Sequence, residues 1–469
     1  MDGPPPDPRI VSLPTGLADD PSGHALCIGL ALVALGVAWR CRSSVFRGAW
    51  AGLAVVVAFT SPWLAWTTRA WFGDFPTIDK EGSLLFFLDG VHLRLYLHPL
   101  SAPADDAVRL IGVHAGHLWV TEALATVLGP MGAFNAQWLL QAGLGWAAAA
   151  WAISVLTERR DGGVRPWVAW VAAFPFGMGL HLFRDLNWTT VEKGGVAFIP
   201  LFIGCWVRSV RHGGWWTLAA AGTYLAMALY NLYFAVVCAV LGAVYLGVEA
   251  LPRLGERRLK QVGMVALGCA LVGVPVALAQ LAIQAGGPAL ATPERFLWER
   301  AALDGFTLVP LRWNRLEVWR ACNPVAVGLA MVGAWHGRRD PRVWRALVLG
   351  GVLFVVSLGP VLLPGDSPRE PTLTNPVYMA LHAVVPGFWR LAKPEVFFQP
   401  VWLLTLVGAA LGLQHVARRS CKNAVVLAVL LLAVWWPLVR GHAHFPGLSA
   451  PLDSALDPRW QDRVFEDAD

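Results

Sequence analysis

About twelve apolar runs of roughly membrane-spanning length follow one another along this chain, and no other feature narrows its fold so far. A helix needs about 20 apolar residues to cross the hydrocarbon core of a bilayer, with a range of about 17–25. Runs of this kind lie near 24–39, 48–66, 134–156, 166–183, 194–207, 214–229, 232–250, 263–284, 321–336, 346–363, 396–415 and 423–439. Those at 24–39, 194–207 and 321–336 are short for a crossing. A bilayer core offers no water to an open backbone, so segments crossing it must be helical. The expectation is an all-α polytopic membrane protein with about twelve transmembrane helices. The chain is 56% hydrophobic and 14% charged, where a soluble protein carries about 25% charged residues. Its 25 tryptophans suit the aromatic belts found at membrane interfaces.

The charges between the runs set an orientation. The short connections 40–47, 157–166, 208–213, 252–262, 337–345 and 416–422 hold 19 Lys and Arg against 4 Asp and Glu. The segments on the other side hold 18 against 26, and one acid, Glu249, falls inside a run. Basic loops stay in the cytoplasm, so the first set is expected inside. This asymmetry accounts for the net charge of +6 without a nucleic-acid footprint. All the long polar segments then face outward: 67–133, 286–320, 364–395 and the tail 441–469. Residues 1–23 are Pro-rich and slightly acidic, and read as a disordered tail rather than a secretory signal. The transmembrane domain is expected over 24–440, and the polar work of the protein on its outer face. No GxxxxGK[ST] phosphate loop is present. The seven cysteines contain no CxxC and read as small apolar residues in or beside spans.

Four constellations could carry chemistry. The acids Asp74, Asp79, Glu81 and Asp89 follow the 48–66 run, on a segment flanked by Trp63, Trp66 and Trp71. A carboxylate there could deprotonate an acceptor hydroxyl, or hold a divalent metal (Mg2+ or Mn2+) against a phosphate leaving group. The plainer reading is a set of solvated loop acids. The connection 179–195 offers Asp185 and Glu192 beside Arg184 and Lys193, either as support for an acceptor or metal or as self-paired loop charges. His114 and His117 stand three apart, a spacing that puts both on one side of a helical turn and can bind metal, although interfacial histidines are common. The segment that follows them, up to residue 133, has helical apolar spacing and reads as an amphipathic helix in the interface.

The fourth constellation is "PGFWRLAKPEVFF", residues 386–398. Arg390 and Lys393 precede a span on the outer face, where orientation asks for no cations. Two cations at a helix N-terminus suit a phosphate or pyrophosphate. The alternative is that both side chains snorkel to the interface, with Glu395 balancing one charge.

With these residues on the page, the chain resembles the GT-C superfamily of multispanning glycosyltransferases, in a little-characterised bacterial branch. Three stretches carry the likeness: the acidic segment Asp74 to Asp89 with the region through 140, the stretch "DLNWTTVEKGGVAFIPLF" with the Tyr-rich "YNLY" after it, and "VVPGFWRLAKPEVFFQPVW". The likeness spans roughly 48–415 and rests on order and texture more than on invariant signatures. It departs from the family in the extra short run at 24–39 and in the absence of a large outer C-terminal domain. The resemblance implies outer-face loops that carry short interfacial helices. It implies a donor linked to polyprenyl phosphate, with Asp74, or else Asp79 or Glu81, as catalytic base. Asp185 and Glu192 would support acceptor or metal, and Arg390 and Lys393 would bind the donor phosphate. It places the protein in a bacterial inner membrane, with membrane lipid and the lipid-linked sugar as partners and no nucleic acid. The competing expectation is a transport or non-catalytic envelope protein, such as a lipid or polysaccharide flippase or a part of an export complex.

Overall fold

The computed structural model describes residues 21–40, 50, 54, 115–158, 163–177, 195–230, 232–247, 260, 263–264, 267, 323–357, 359, 361–363, 373–384 and 397–442. These are helical except for one pair of very short strands. In chain order the elements are α1 (Pro21–Arg40), α2 (Ala115–Thr157), α3 (Pro166–Gly177), α4 (Phe198–His212), α5 (Trp215–Tyr230), α6 (Leu232–Tyr245), α7 (Pro324–His336) and α8 (Pro341–Ser357). Then come β1 (Val361–Leu363), β2 (Leu373–Thr374), α9 (Pro376–Val384), α10 (Phe398–Arg419) and α11 (Cys421–His442).

The chain divides into two compact units. The first holds 1–144, 181–194 and 439–469; the second holds 145–180 and 195–438. In the first, α1 buries Ala31 and Ala34 and exposes Ile28, Leu32, Val33 and Trp39. The N-terminal part of α2 also belongs to it. The sequence predicts an interfacial helix ending near residue 133 and a separate span from 134. Instead one helix runs from Ala115 to Thr157, through Pro130. At about 1.5 Å per residue it is roughly 64 Å long, twice the thickness of a bilayer core. It can therefore cross once and still extend well beyond the apolar layer.

The second unit is a bundle whose close approaches are made by glycine and whose fit is made by aromatic rings. Trp146 of α2 donates through Nε1 to the Trp170 carbonyl of α3 at 2.7 Å, and meets Trp170 and Phe174 edge to face. A Cβ on Gly204 of α4 would strike the Trp151 ring, so glycine is what lets α4 lie against α2. Phe202 of α4 stacks on Trp206 and tilts against Tyr224 of α5. The tight link between α4 and α5 uses Gly213 and Gly214, at φ 67° and 61°, where a side chain would be strained. Trp402 of α10 donates to the Pro175 carbonyl of α3 at 3.3 Å.

The tightest crossing is between α7 and α10. A Cβ on Gly333 would collide with the Gly408 carbonyl, and one on Gly412 with the Leu329 carbonyl. Gly408 and Gly412 form a GxxxG pair, the pattern that lets two helix backbones meet where no water drives them together. Asn323 starts α7: its Oδ1 accepts from the Val325 and Ala326 amides, Pro324 follows at the first turn, and Nδ2 reaches the Leu431 carbonyl of α11 at 2.8 Å.

Among the described residues, two helices, over Leu140–Thr157 and Phe398–Arg419, are long and apolar enough to cross a membrane. The apolar stretches Ile28–Val37, Phe234–Tyr245, Pro324–His336, Ala346–Ser357 and Cys421–Val434 are shorter. The run expected at 346–363 is also displaced. Helix α8 covers 341–357, the chain turns at Gly359 with φ 73°, and Val361–Leu363 pairs antiparallel with Leu373–Thr374. Glycine and then Pro360 end the helix where hydrophobicity alone would continue it.

Candidate functional site

The second unit has two chemically different ends. Glu158, after the last turn of α2, accepts from Arg208 of α4 at 3.2 Å and lies 3.8 Å from Arg211. Arg211 also donates to the Val155 carbonyl at 2.8 Å. The Arg165 amide, entering α3, donates to Gln414 of α10 at 3.1 Å. Ser209 and Thr217 hydrogen-bond across the α4–α5 link at 3.1 Å. His336 at the end of α7 stacks on His415 near the end of α10, ring centres 3.7 Å apart and planes 14° apart. The C-termini of α2, α4, α7 and α10 and the N-termini of α3, α5, α8 and α11 are thus gathered at one end. Four of the six connections expected in the cytoplasm, 157–166, 208–213, 337–345 and 416–422, belong to them. Their described residues include ten Lys or Arg against Glu158 and Asp340.

The opposite end is nearly free of charge. Among the described residues of these helices, the starts and stops there carry Arg440, near the end of α11, and no other Lys, Arg, Asp or Glu. Helix α3 is described to Gly177, and the chain is described again from Gly195. Gly177 and Ala197 both lie close to Gly145 of α2, at 3.7 Å and 3.6 Å from its ideal Cβ position. Phe397, buried, opens α10, and one turn further in Trp402 bonds α3 at Pro175. The last described residue of α3 and the first of α10 therefore lie at the same end of the bundle. The small sheet and Asn375, which donates to the Val355 and Gly359 carbonyls at 2.5 and 2.7 Å, pin the turn after α8.

Asp74, Asp79, Glu81, Asp185, Glu192, Arg390, Lys393 and His114 lie outside the described residues, as does Asp89. His117 is on the first turn of α2. Among the described residues no group of three or more His, Cys, Asp or Glu could hold a metal ion. Cys205 and Cys238 are buried free thiols, as small apolar residues would be, while Cys421 is exposed.

The stacked His336 and His415 were not singled out by sequence reasoning. A signal was there: each closes an apolar run and is followed within four residues by an Arg pair, Arg338-Arg339 and Arg418-Arg419. The Nε2 of His415 is buried without a hydrogen-bond partner.

No protein-family model matches the chain, and no curated protein matches it.

Proposed function

We propose that the chain is a multispanning protein of a bacterial inner membrane that transfers a sugar from a polyprenyl-phosphate donor to an envelope acceptor on the outer face. The separation of charge between the two ends of the second unit carries this reading. Ten basic residues gather at one end, which the positive-inside rule assigns to the cytoplasm. At the other end lie the last described residue of α3 and the start of α10; among the described residues that end carries only Arg440, and in sequence Asp185 and Glu192 follow α3 while Arg390 and Lys393 precede α10. On a nearly uncharged outer face these carboxylates and cations would have no role in orientation, and would be available for chemistry. A helix shorter than a full crossing, such as α7 at 13 residues between its caps, suits a bundle that is thinned on the side where a lipid-linked donor enters.

The reaction is a displacement. A first-loop carboxylate, Asp74 before Asp79 or Glu81, removes the proton from an acceptor hydroxyl. The oxygen bonds the anomeric carbon while the bond from that carbon to the phosphate oxygen breaks, and polyprenyl phosphate leaves with the electron pair. Arg390 and Lys393 hold the phosphate as its charge grows. A divalent metal, if used, would assist the same departure.

The test is a transfer assay in membrane vesicles with polyprenyl-phosphate sugars. Replacing the base by Ala should lower turnover by about 10²–10⁴-fold, and Arg390→Gln with Lys393→Gln should weaken use of the donor. Full activity in Asp74→Ala, Asp79→Ala and Glu81→Ala alike would sink the base assignment. Translocation of a lipid-linked glycan without transfer would favour a flippase.

A further inference from the structure

The turn between α7 and α8 carries a feature that sugar transfer does not use. Along the last turns of α7, Met331 and Trp335 stand exposed one turn apart, at 65% and 64%. Along the first turns of α8, Trp344, Leu347 and Val348 are exposed at 57%, 48% and 52%. Both tryptophans are tied to one residue. The Arg338 guanidinium lies 4.3 Å from the centre of the Trp335 ring, and the Trp344 Nε1 donates to the Arg338 carbonyl at 2.8 Å. Arg338 and Arg339 are themselves exposed. The result is an apolar face on each of two consecutive helices, meeting at a turn where both indoles contact Arg338 and Arg339 stands exposed beside it.

We infer that this turn is a binding site for an anionic phospholipid, with the phosphate at Arg338 and Arg339 and an acyl chain along Met331, Trp335, Trp344, Leu347 and Val348. A strip this apolar requires an occupant without polar groups along its length, and the basic cap requires that the occupant end in an anion. Indoles sit at the level between the two. Asp340 follows in the same turn and offsets one charge, leaving the Arg338–Asp340 stretch one positive charge in excess. Guanidinium on an indole face is held flat, and a flat guanidinium offers its N–H edge to a phosphate in pairs. The exposed strip of Val425, Val426, Val429 and Leu430 on α11 has no exposed indole within it, so it lacks the cap that would select a headgroup.

The inference rests on the membrane reading proposed above, and the two can fail separately. If carbonate washing releases the full-length protein from membranes without detergent, the membrane reading fails and this site falls with it. If the protein stays in the membrane, it is purified in neutral detergent and titrated with phosphatidylglycerol, phosphatidylcholine or inorganic phosphate, with bound lipid counted by native mass spectrometry. Phosphatidylglycerol should bind saturably and more tightly than phosphatidylcholine, and inorganic phosphate should not compete at equal concentration. Each basic residue near an anionic lipid surface is worth about 1 kcal/mol, so Arg338→Gln with Arg339→Gln should weaken phosphatidylglycerol roughly 30-fold and leave phosphatidylcholine unchanged. Arg338→Lys with Arg339→Lys should restore most of the preference, and the thermal unfolding of the variants should match the parent. Equal binding of the two lipids, or a Gln variant that keeps the preference, overturns the proposal. Phosphate competing as well as the lipid would make this a soluble-anion site instead.

Discussion

Single residues decide the stability of this bundle where they are buried and polar, and matter little where they are charged and wet. Asn323 is fully buried and makes three hydrogen bonds, two as the cap of α7 and one to α11. A lost cap costs about 1 kcal/mol and a lost buried hydrogen bond a similar amount. Asn323→Ala should therefore destabilise by about 2 kcal/mol in detergent unfolding, and Asn323→Ser, which keeps the cap but cannot reach Leu431, by about half of that. Equal losses for Ala and Ser would mean that the link to α11 contributes nothing. Glu158 offers the contrast. It pairs with Arg208 and Arg211, but its side chain is 43% exposed, and screened pairs of this kind contribute 1 kcal/mol at most. Glu158→Gln should change unfolding by less than about 1 kcal/mol; a loss above 2 kcal/mol would show that the cluster is drier than its exposure indicates. The Asn323-Pro324 start is legible in the sequence, because a capping side chain followed by Pro is a helix-start signal. Its partner Leu431 is not legible, because nothing local ties position 323 to a carbonyl 108 residues on.

At the scale of elements, apolar runs report helices well and report their ends poorly. The runs expected at 214–229, 396–415 and 423–439 correspond to α5, α10 and α11 with ends displaced by a few residues. Errors arise where backbone chemistry and hydrophobicity disagree. Pro130 marks an expected break, yet α2 continues through it. Proline inside a helix costs about 3 kcal/mol in water, but membrane helices tolerate it when neighbours satisfy the freed carbonyl. Conversely Gly359 and Pro360 stop α8 inside an apolar stretch. The α7–α10 crossing lay half in view: Gly408 and Gly412 announce a close approach, but not which helix approaches. The structure supplies Gly333 and Leu329, and with them a test inside one helix. Gly333→Ala would press a methyl onto the Gly408 carbonyl and should destabilise by about 1–3 kcal/mol. Gly328→Ala, five residues away with open space around it, should be neutral or gain up to about 1 kcal/mol from helix propensity. Equal effects at both positions would show that the two helices are not packed through Gly333.

At the scale of the whole molecule, the quantity legible from sequence is the sorting of charge. Counting Lys and Arg between apolar runs assigned 157–166, 208–213, 337–345 and 416–422 to one side without knowledge of any contact. The second unit joins their helix ends through Glu158 with Arg208, Arg165 with Gln414, and His336 with His415. The candidate site was legible only as residue types on segments, because the groups that would make it catalytic sit on connections whose geometry no apolar period encodes. The arrangement still makes a sided prediction. Cys421 lies at the α10–α11 turn and is exposed. In a variant whose other six cysteines are Ser, a membrane-impermeant maleimide should reach Cys421 from the cytoplasmic side of inverted vesicles and not from intact cells. With Cys421→Ser added, Asn187→Cys, between α3 and α4, should label from intact cells and not when the reagent is applied outside inverted vesicles. If both positions label from the same side, the two ends of the bundle do not face opposite sides of a membrane. The basic cluster would then be a soluble surface, and both the outward-facing transfer reaction and the lipid site at the α7–α8 turn would lose their common premise.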